Sequence, residues 1–174
     1  MATNTLKRSK SFNVGKQSEE KFVKAARQEN FIVRKASREQ NMYKHVDFFL
    51  EHDRFKFSVD VKARKKASRS DATFDDVWNW IEFKNVRGNP GWLYGEADYI
   101  AFEREKDFIL ASREELKNFC EERVDQDDRV SSTYEAKYKC YQRAGNKDLI
   151  TRIRMEDINN FKRNMIFEKI TVDS

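Results

Sequence analysis

The sequence predicts a mixed α/β domain, a central mixed sheet flanked by helices. Three observations predict it. A helix-forming segment near the start and a capped one beyond the middle enclose a series of short strand-like runs. Those runs are rich in Val, Ile, Phe, Tyr and Trp and are separated by polar turns. The only proline and three of the five glycines fall together in one central loop, Arg87 to Gly95.

Taken in order, residues 1–12 are polar and basic, with Lys7, Arg8 and Lys10, and read as a flexible arm. Residues 15–31, GKQSEEKFVKAARQENF, read as a helix, because Phe22, Ala25 and Ala26 fall on neighbouring turns among good helix formers. Residues 31–36 form a short strand, and SREQNMYK after it reads as a polar loop. Two strands follow, at 45–51 and 54–62, around a tight turn at His52, Asp53 and Arg54. Thr73 and Asp76 carry a helix-start spacing that predicts a short helical turn within 70–77. Residues 78–85 alternate as a strand, and 97–103 and 106–111 are strands after the glycine-rich loop. Ser112 with Glu115 three residues on predicts a capping box and a helix over 112–124. In the C-terminal third, TYEAKYKCYQR and DLITRIRM read as strands around an AGNK turn, with MEDINNFKR a last short helix.

The totals bound the function. A chain of 174 residues with 39% hydrophobic and 13% aromatic content can build one real core and is not a disordered tail. A net charge of +5 suits a polyanionic partner without establishing one. Two cysteines with no metal-ligand spacing predict reduced thiols in an intracellular, cytoplasmic protein. No apolar run approaches spanning length, and the N-terminus lacks a signal-peptide core, so no membrane partner is expected.

The chemistry concentrates in FSVDVKARKK, residues 57–66. Strand alternation sends Phe57, Val59 and Val61 to a buried face, and Ser58, Asp60 and Lys62 to the other. A two-residue turn at Asp53 and Arg54 sets residue 52 opposite 55 and, stepping outward, Asp47 opposite Asp60. Side chains so opposed have Cβ atoms about 4.5–5.5 Å apart. Two carboxylates at that separation repel unless a cation neutralises them, and Mg²⁺ or Mn²⁺ prefers such hard oxygen donors. A plain Asp60–Lys62 salt bridge is the simpler reading of the same residues.

Glu19 on the first helix, Asp47 in HVD, and Asp60-Val61-Lys62 on the next strand occur in an order that resembles the PD-(D/E)XK nuclease superfamily, the restriction-endonuclease-like fold. The pattern Gly15-Lys16-Gln17-Ser18-Glu19 is similar to Holliday-junction resolvases and small phage-type nucleases, and the resemblance covers residues 15–103. It departs at Val46, where the family name has proline, and at Asp60, where glutamate is commoner. The resemblance implies a nuclease core over about 15–111 within a single domain 13–174, with 112–174 as an extension. It further implies metal-dependent DNA endonuclease activity with 5′-phosphate and 3′-hydroxyl products, directed to junctions or branched DNA. Asp47, Asp60, the Val61 main-chain oxygen and Glu19 would hold Mg²⁺ or Mn²⁺, and Lys62 would orient the attacking water. Analogy with resolvases implies a homodimer, and RNA stays open as a substrate.

Arg64, Lys65, Lys66 and Arg69 follow closely enough to contact backbone phosphates, though a solvated loop explains them equally well. Glu82 and Lys84 form a rival catalytic pair, should the strand of Asp47 pair with theirs. Trp92 in the glycine-rich loop is a candidate rim aromatic, and His45 a candidate neighbour of Asp47. The alternative functions are a non-catalytic nucleic-acid-binding domain of the same fold, and an interaction protein with a buried ion network.

Overall fold

The computed structural model describes the backbone of residues 2–171 and the side chains of residues 10–171. It is a mixed α/β structure with two mixed sheets. The first element, helix α1 (Ala2–Gln28), buries Ser18, Phe22, Ala25 and Ala26, which recur at helical spacing along one side. The helix extends back over the segment read as a flexible arm; the side chains of Lys7 and Arg8 lie outside the described residues. Asn30, at φ 65°, ends it by turning the chain in the left-handed region that asparagine tolerates.

Six strands make the first sheet: β1 (Ile32–Lys35), β2 (Phe48–His52), β3 (Phe55–Lys62), β5 (Tyr99–Glu103), β6 (Asp107–Ser112) and β10 (Met165–Glu168). They lie in that spatial order, all pairs antiparallel except β3 with β5. The second sheet, in spatial order, is β4 (Trp78–Lys84), β9 (Leu149–Arg154), β8 (Lys139–Tyr141) and β7 (Asp125–Val130). One central sheet is therefore corrected to two. β4 leaves the first sheet through the excursion 63–77 and pairs with β9, far along the chain, a choice that strand periodicity cannot express.

Each face of the first sheet has its own core. Phe48, Leu50, Val59, Ala101, Phe108 and Leu110 pack under Phe22 of α1. On the opposite face, Ile100, Phe102, Ile109 and Ala111 pack against Ile81 and Phe83 of β4 and Ile153 of β9. Helix α3 (Arg113–Arg123) adds Leu116 and Cys120 to that second core. Burying one such Leu, Ile or Phe contributes about 1.5–3 kcal/mol. Because β3 is covered on both faces, Ser58 and Asp60 are buried together with Val59 and Val61.

Other expectations need correcting. SREQNMYK is a helix, α2 (Arg38–Lys44), closed by a complete capping box between Ser37 and Gln40, a spacing present in the sequence and taken for loop. No helical turn forms at 70–77: Asp75 instead accepts from Val77 N and Trp78 N, and Asp76 is drawn to Arg64. Ser112 caps α3 as expected, but Glu115 accepts from Lys162 N and Arg163 N rather than closing the box. α4 is shorter than its reading, Met155–Asn159. β7, with three aspartates, follows no strand-like pattern and exists because β8 offers an edge to pair with, while β10 is a short apolar run outside the expected strands that pairs with β6. Among the described residues, no helix is long and apolar enough to cross a membrane.

Candidate active site

The hairpin of β2 and β3 has the expected register, with Phe48 opposite Val59 and His52 opposite Phe55. Asp53, at φ 51°, makes the turn. Just before β2, Asp47 N donates at 2.8 Å to the carbonyl of Val59, the residue that already faces Phe48, so the strand bulges here and the one-to-one register that would set Asp47 directly opposite Asp60 ends at Phe48. Asp47 and Asp60 are thereby brought together in the interior, at 9% and 3% exposure.

Each carboxylate is held differently. Asp47 Oδ2 accepts from Val61 N at 2.7 Å, and its Oδ1 accepts from Asn41 Nδ2 of α2 at 2.5 Å. Asp60 Oδ1 lies 2.8 Å from Lys62 Nζ, while Oδ2 is buried with no hydrogen-bond partner among the described residues. A buried carboxylate oxygen left so is costly unless a proton or a cation joins it to the neighbouring Asp47 carboxylate. Burial pushes the Asp60 carboxyl up to about 7; Lys62 opposes the rise and Asp47 adds to it.

Lys62 is clamped from below. Its ammonium sits 4.9 Å from the centre of the Trp92 ring, and Trp92 is buried against Phe102. Trp92 is thus the seat of Lys62 and is not open for stacking on a base at this site. Trp92 N donates to Glu82 Oε1 at 3.4 Å, which brings a third acid in from the second sheet. Gly91 permits this approach, since a Cβ there would stand 2.4 Å from Glu82 O. Burial raises the Glu82 carboxyl, and the nearby Lys62 opposes that rise.

Glu19, half-buried on α1, completes the rim. Its carboxyl is raised by burial and then by Asp47, with Lys35 and Lys62 pulling the other way. His45 ends α2 in the left-handed region, at φ 53°, and so swings the chain toward Asp47. Burial first and Lys62 second lower its imidazole pKa. Among the described residues, no three His, Cys, Asp or Glu side chains gather tightly enough to hold a metal ion by themselves.

Compared with known proteins, the chain matches no family model, no curated protein and no solved structure.

Glu19, Asp47, Asp60 and Lys62 all meet at this end of the first sheet. The rival pair does not assemble: β2 pairs with β1 and β3, never with β4, and a register shift separates half-buried Glu82 from exposed Lys84. Glu82 instead joins the first set. The basic cluster divides. The Arg64 guanidinium is bidentate on Asp76, at 2.9 and 2.7 Å, so it is not a free phosphate ligand. Lys66 is half-buried and its carbonyl accepts from Trp80 Nε1. Lys65 and Arg69 stand at the surface. Desolvation, then the like charges of Lys62, Arg143 and Arg69, lower the Lys65 pKa. Asn41 and Arg143 were not foreseen; a short polar side chain on a helix and one arginine in a turn carry no local signal of a shared site.

Proposed function

We propose that this chain is a metal-dependent DNA endonuclease of restriction-endonuclease-like type, with Asp47, Asp60 and Lys62 as its catalytic residues and Glu19 beside them. One observation carries the reading. Two acidic side chains are buried together on one strand pair, one oxygen is left without a partner, and a lysine is seated 2.8 Å from the other. Such an arrangement costs stability and invites a divalent cation.

The residues fit that cation. Asp60 Oδ2 is the open donor, and Asp47, already oriented by Asn41 and Val61 N, keeps lone pairs on both oxygens. Asp47 and Asp60 would hold the ion, with the Val61 carbonyl and Glu19 as further oxygens. Magnesium is commonly bound by one or two carboxylates and completed by water and substrate phosphate. A bound ion would supply positive charge to the phosphate and lower the pKa of a water.

The chain's own residues supply the rest. Lys62, anchored by Asp60 and the Trp92 ring, presents a fixed ammonium to an entering phosphate and can orient the attacking water by a hydrogen bond. The Asn41 and Val61 hydrogen bonds keep Asp47 from rotating away, so little reorganisation is needed when substrate arrives. Glu82 and Asp60 flank Lys62 from the two sheets and balance its charge. Lys65 and Arg69 are the exposed cations nearest to the strand end and would neutralise flanking phosphates.

The test is cleavage of a panel containing a four-way junction, a flap, linear duplex, single-stranded DNA and single-stranded RNA, in Mg²⁺, Mn²⁺, Ca²⁺ or EDTA. Metal-dependent cutting by wild type and none by a folded Asp60→Asn variant is the expected outcome. Binding without cutting in every metal would replace the nuclease by a binding domain.

A further inference from the structure

The excursion between β3 and β4, which the catalytic motif does not use, forms one wall of an open cleft on the chain segment that follows Lys62. Arg64 stands two residues beyond Lys62. Its guanidinium lies 4.6 Å from the centre of the Phe74 ring and is bidentate on Asp76. Phe74 and Asp76 also line a cleft of about 360 Å³, whose other wall is Trp78, Tyr134, Lys137 and Arg152. That volume is in the range of small-molecule sites.

Each of the cleft's acids has a hydrogen-bond partner. Asp76 is held by Arg64, Asp71 accepts from the Tyr134 hydroxyl, and Asp75 accepts from Arg152 Nη1 at 3.1 Å. Arg152 is only 1% exposed, lies 5.4 Å from the centre of the Trp80 ring, and donates its other terminal nitrogen to the Tyr134 carbonyl. Its Nε has no partner among the described residues, so a fully buried cation at this wall is left incompletely satisfied. At the mouth, Phe74 is 46% and Tyr134 50% exposed, and Lys137 Nζ stands 5.0 Å from the centre of the Trp78 ring. The result is an aromatic cleft whose three aspartates are each hydrogen-bonded, with a cation at its lip, and whose Asp76 is held by Arg64, two residues beyond Lys62.

A flat, neutral, aromatic ligand tied to an anionic backbone meets those terms. We propose that the cleft takes an unpaired nucleobase of the substrate strand, so that the enzyme selects DNA with an unpaired stretch beside the scissile phosphate over blunt duplex. A paired base cannot enter, because it stays stacked within the helix; an extruded or single-stranded base pays little to do so. This inference rests on the nuclease reading and names the substrate class of that same site.

The experiment compares, in EDTA, anisotropy binding of a labelled blunt duplex and of the same duplex carrying a short unpaired overhang. Wild type should bind the overhang substrate about fivefold or more tightly, the usual scale for one stacked base. Phe74→Ala and Lys137→Ala should shrink that margin while leaving blunt-duplex affinity within about twofold, since neither side chain belongs to the motif. Trp78 packs on Tyr138, so Trp78→Phe is the conservative change there and should retain most of the margin. Independently of any variant, 5-iodouracil in the overhang should photocrosslink to Phe74, Trp78 or Tyr134 in peptide mass spectra. Equal affinity for both substrates, crosslinks confined to other segments, or a margin that survives both alanine variants would overturn the subsite and leave the nuclease reading standing. Binding of neither DNA, with no cleavage in Mg²⁺ or Mn²⁺, would overturn both.

Discussion

Replacing Asp60 with asparagine should stabilise the folded chain, by an amount that grows with pH. The Asp60 carboxyl moves from an ordinary value of 3.8 to about 7 on folding, chiefly through burial. Between those values the native state holds a proton that the unfolded chain has released, so this group's contribution to stability falls as pH rises, and levels off above about 7. At about 1.4 kcal/mol per pH unit, the gap between 3.8 and about 7 sets a ceiling of about 4 kcal/mol. Two terms reduce it. Relaxation of the buried site and water penetration soften the burial penalty, and Lys62, whose side chain is 26% exposed, loses an anionic partner in the variant. About 2 kcal/mol is therefore expected at pH 8, or roughly 4–8 °C in Tm for a chain of this size. At pH 5 wild-type Asp60 is itself protonated, and the difference should shrink to about 0.5 kcal/mol. The assay is urea and thermal unfolding of both proteins in EDTA, at four pH values from 5 to 8. Subtracting the two curves cancels every group they share. A variant less stable than wild type at pH 8, or a gap that ignores pH, would show that Asp60 belongs to a stabilising ion network, and the reasoning above would fail.

Adding Mn²⁺ or Mg²⁺ at a hundred times its Kd should stabilise wild type by about 2.7 kcal/mol and leave Asp60→Asn unmoved, as read by calorimetric melts. Lys62→Met should lower single-turnover cleavage by about 10²–10⁴-fold, well beyond the moderate fall in Tm expected when buried Asp60 loses its cation. Gly91→Ala should cost about 1–3 kcal/mol in denaturant unfolding, since its Cβ would meet the backbone of Glu82 at 2.4 Å and nothing flexible can yield. The same substitution should weaken cleavage beyond its effect on folding, by unseating Trp92 and with it Lys62.

Much of this site was legible before any coordinates. Asp47 and Asp60 could be brought near one another because a two-residue turn and a period of two leave one register for the hairpin from Phe48 to Val59. Both observations are local, lying within sixteen residues of one another. The strand positions of β1, β4, β5, β6 and β9 were readable for the same reason, and the face of α1 from its Phe22, Ala25 and Ala26. α2 is also written in the sequence, in the spacing of Ser37 and Gln40, but it buries no residue and so shows no apolar periodicity, its Met42 and Tyr43 being exposed.

What sequence alone determined about this protein is thus the hairpin, its acidic pair, the neighbouring lysine and the helical glutamate. Only the tertiary structure decided that β4 and β9 build a second sheet over the first, which buries Asp60 and brings Trp92 and Glu82 to Lys62. It also decided which basic residues stay open, since Arg64 is taken by an aspartate twelve positions along the chain. Those are contacts between segments whose local patterns are mutually silent. Pairing energy depends on which surfaces meet, and a strand's periodicity records that it has a buried face without recording what buries it.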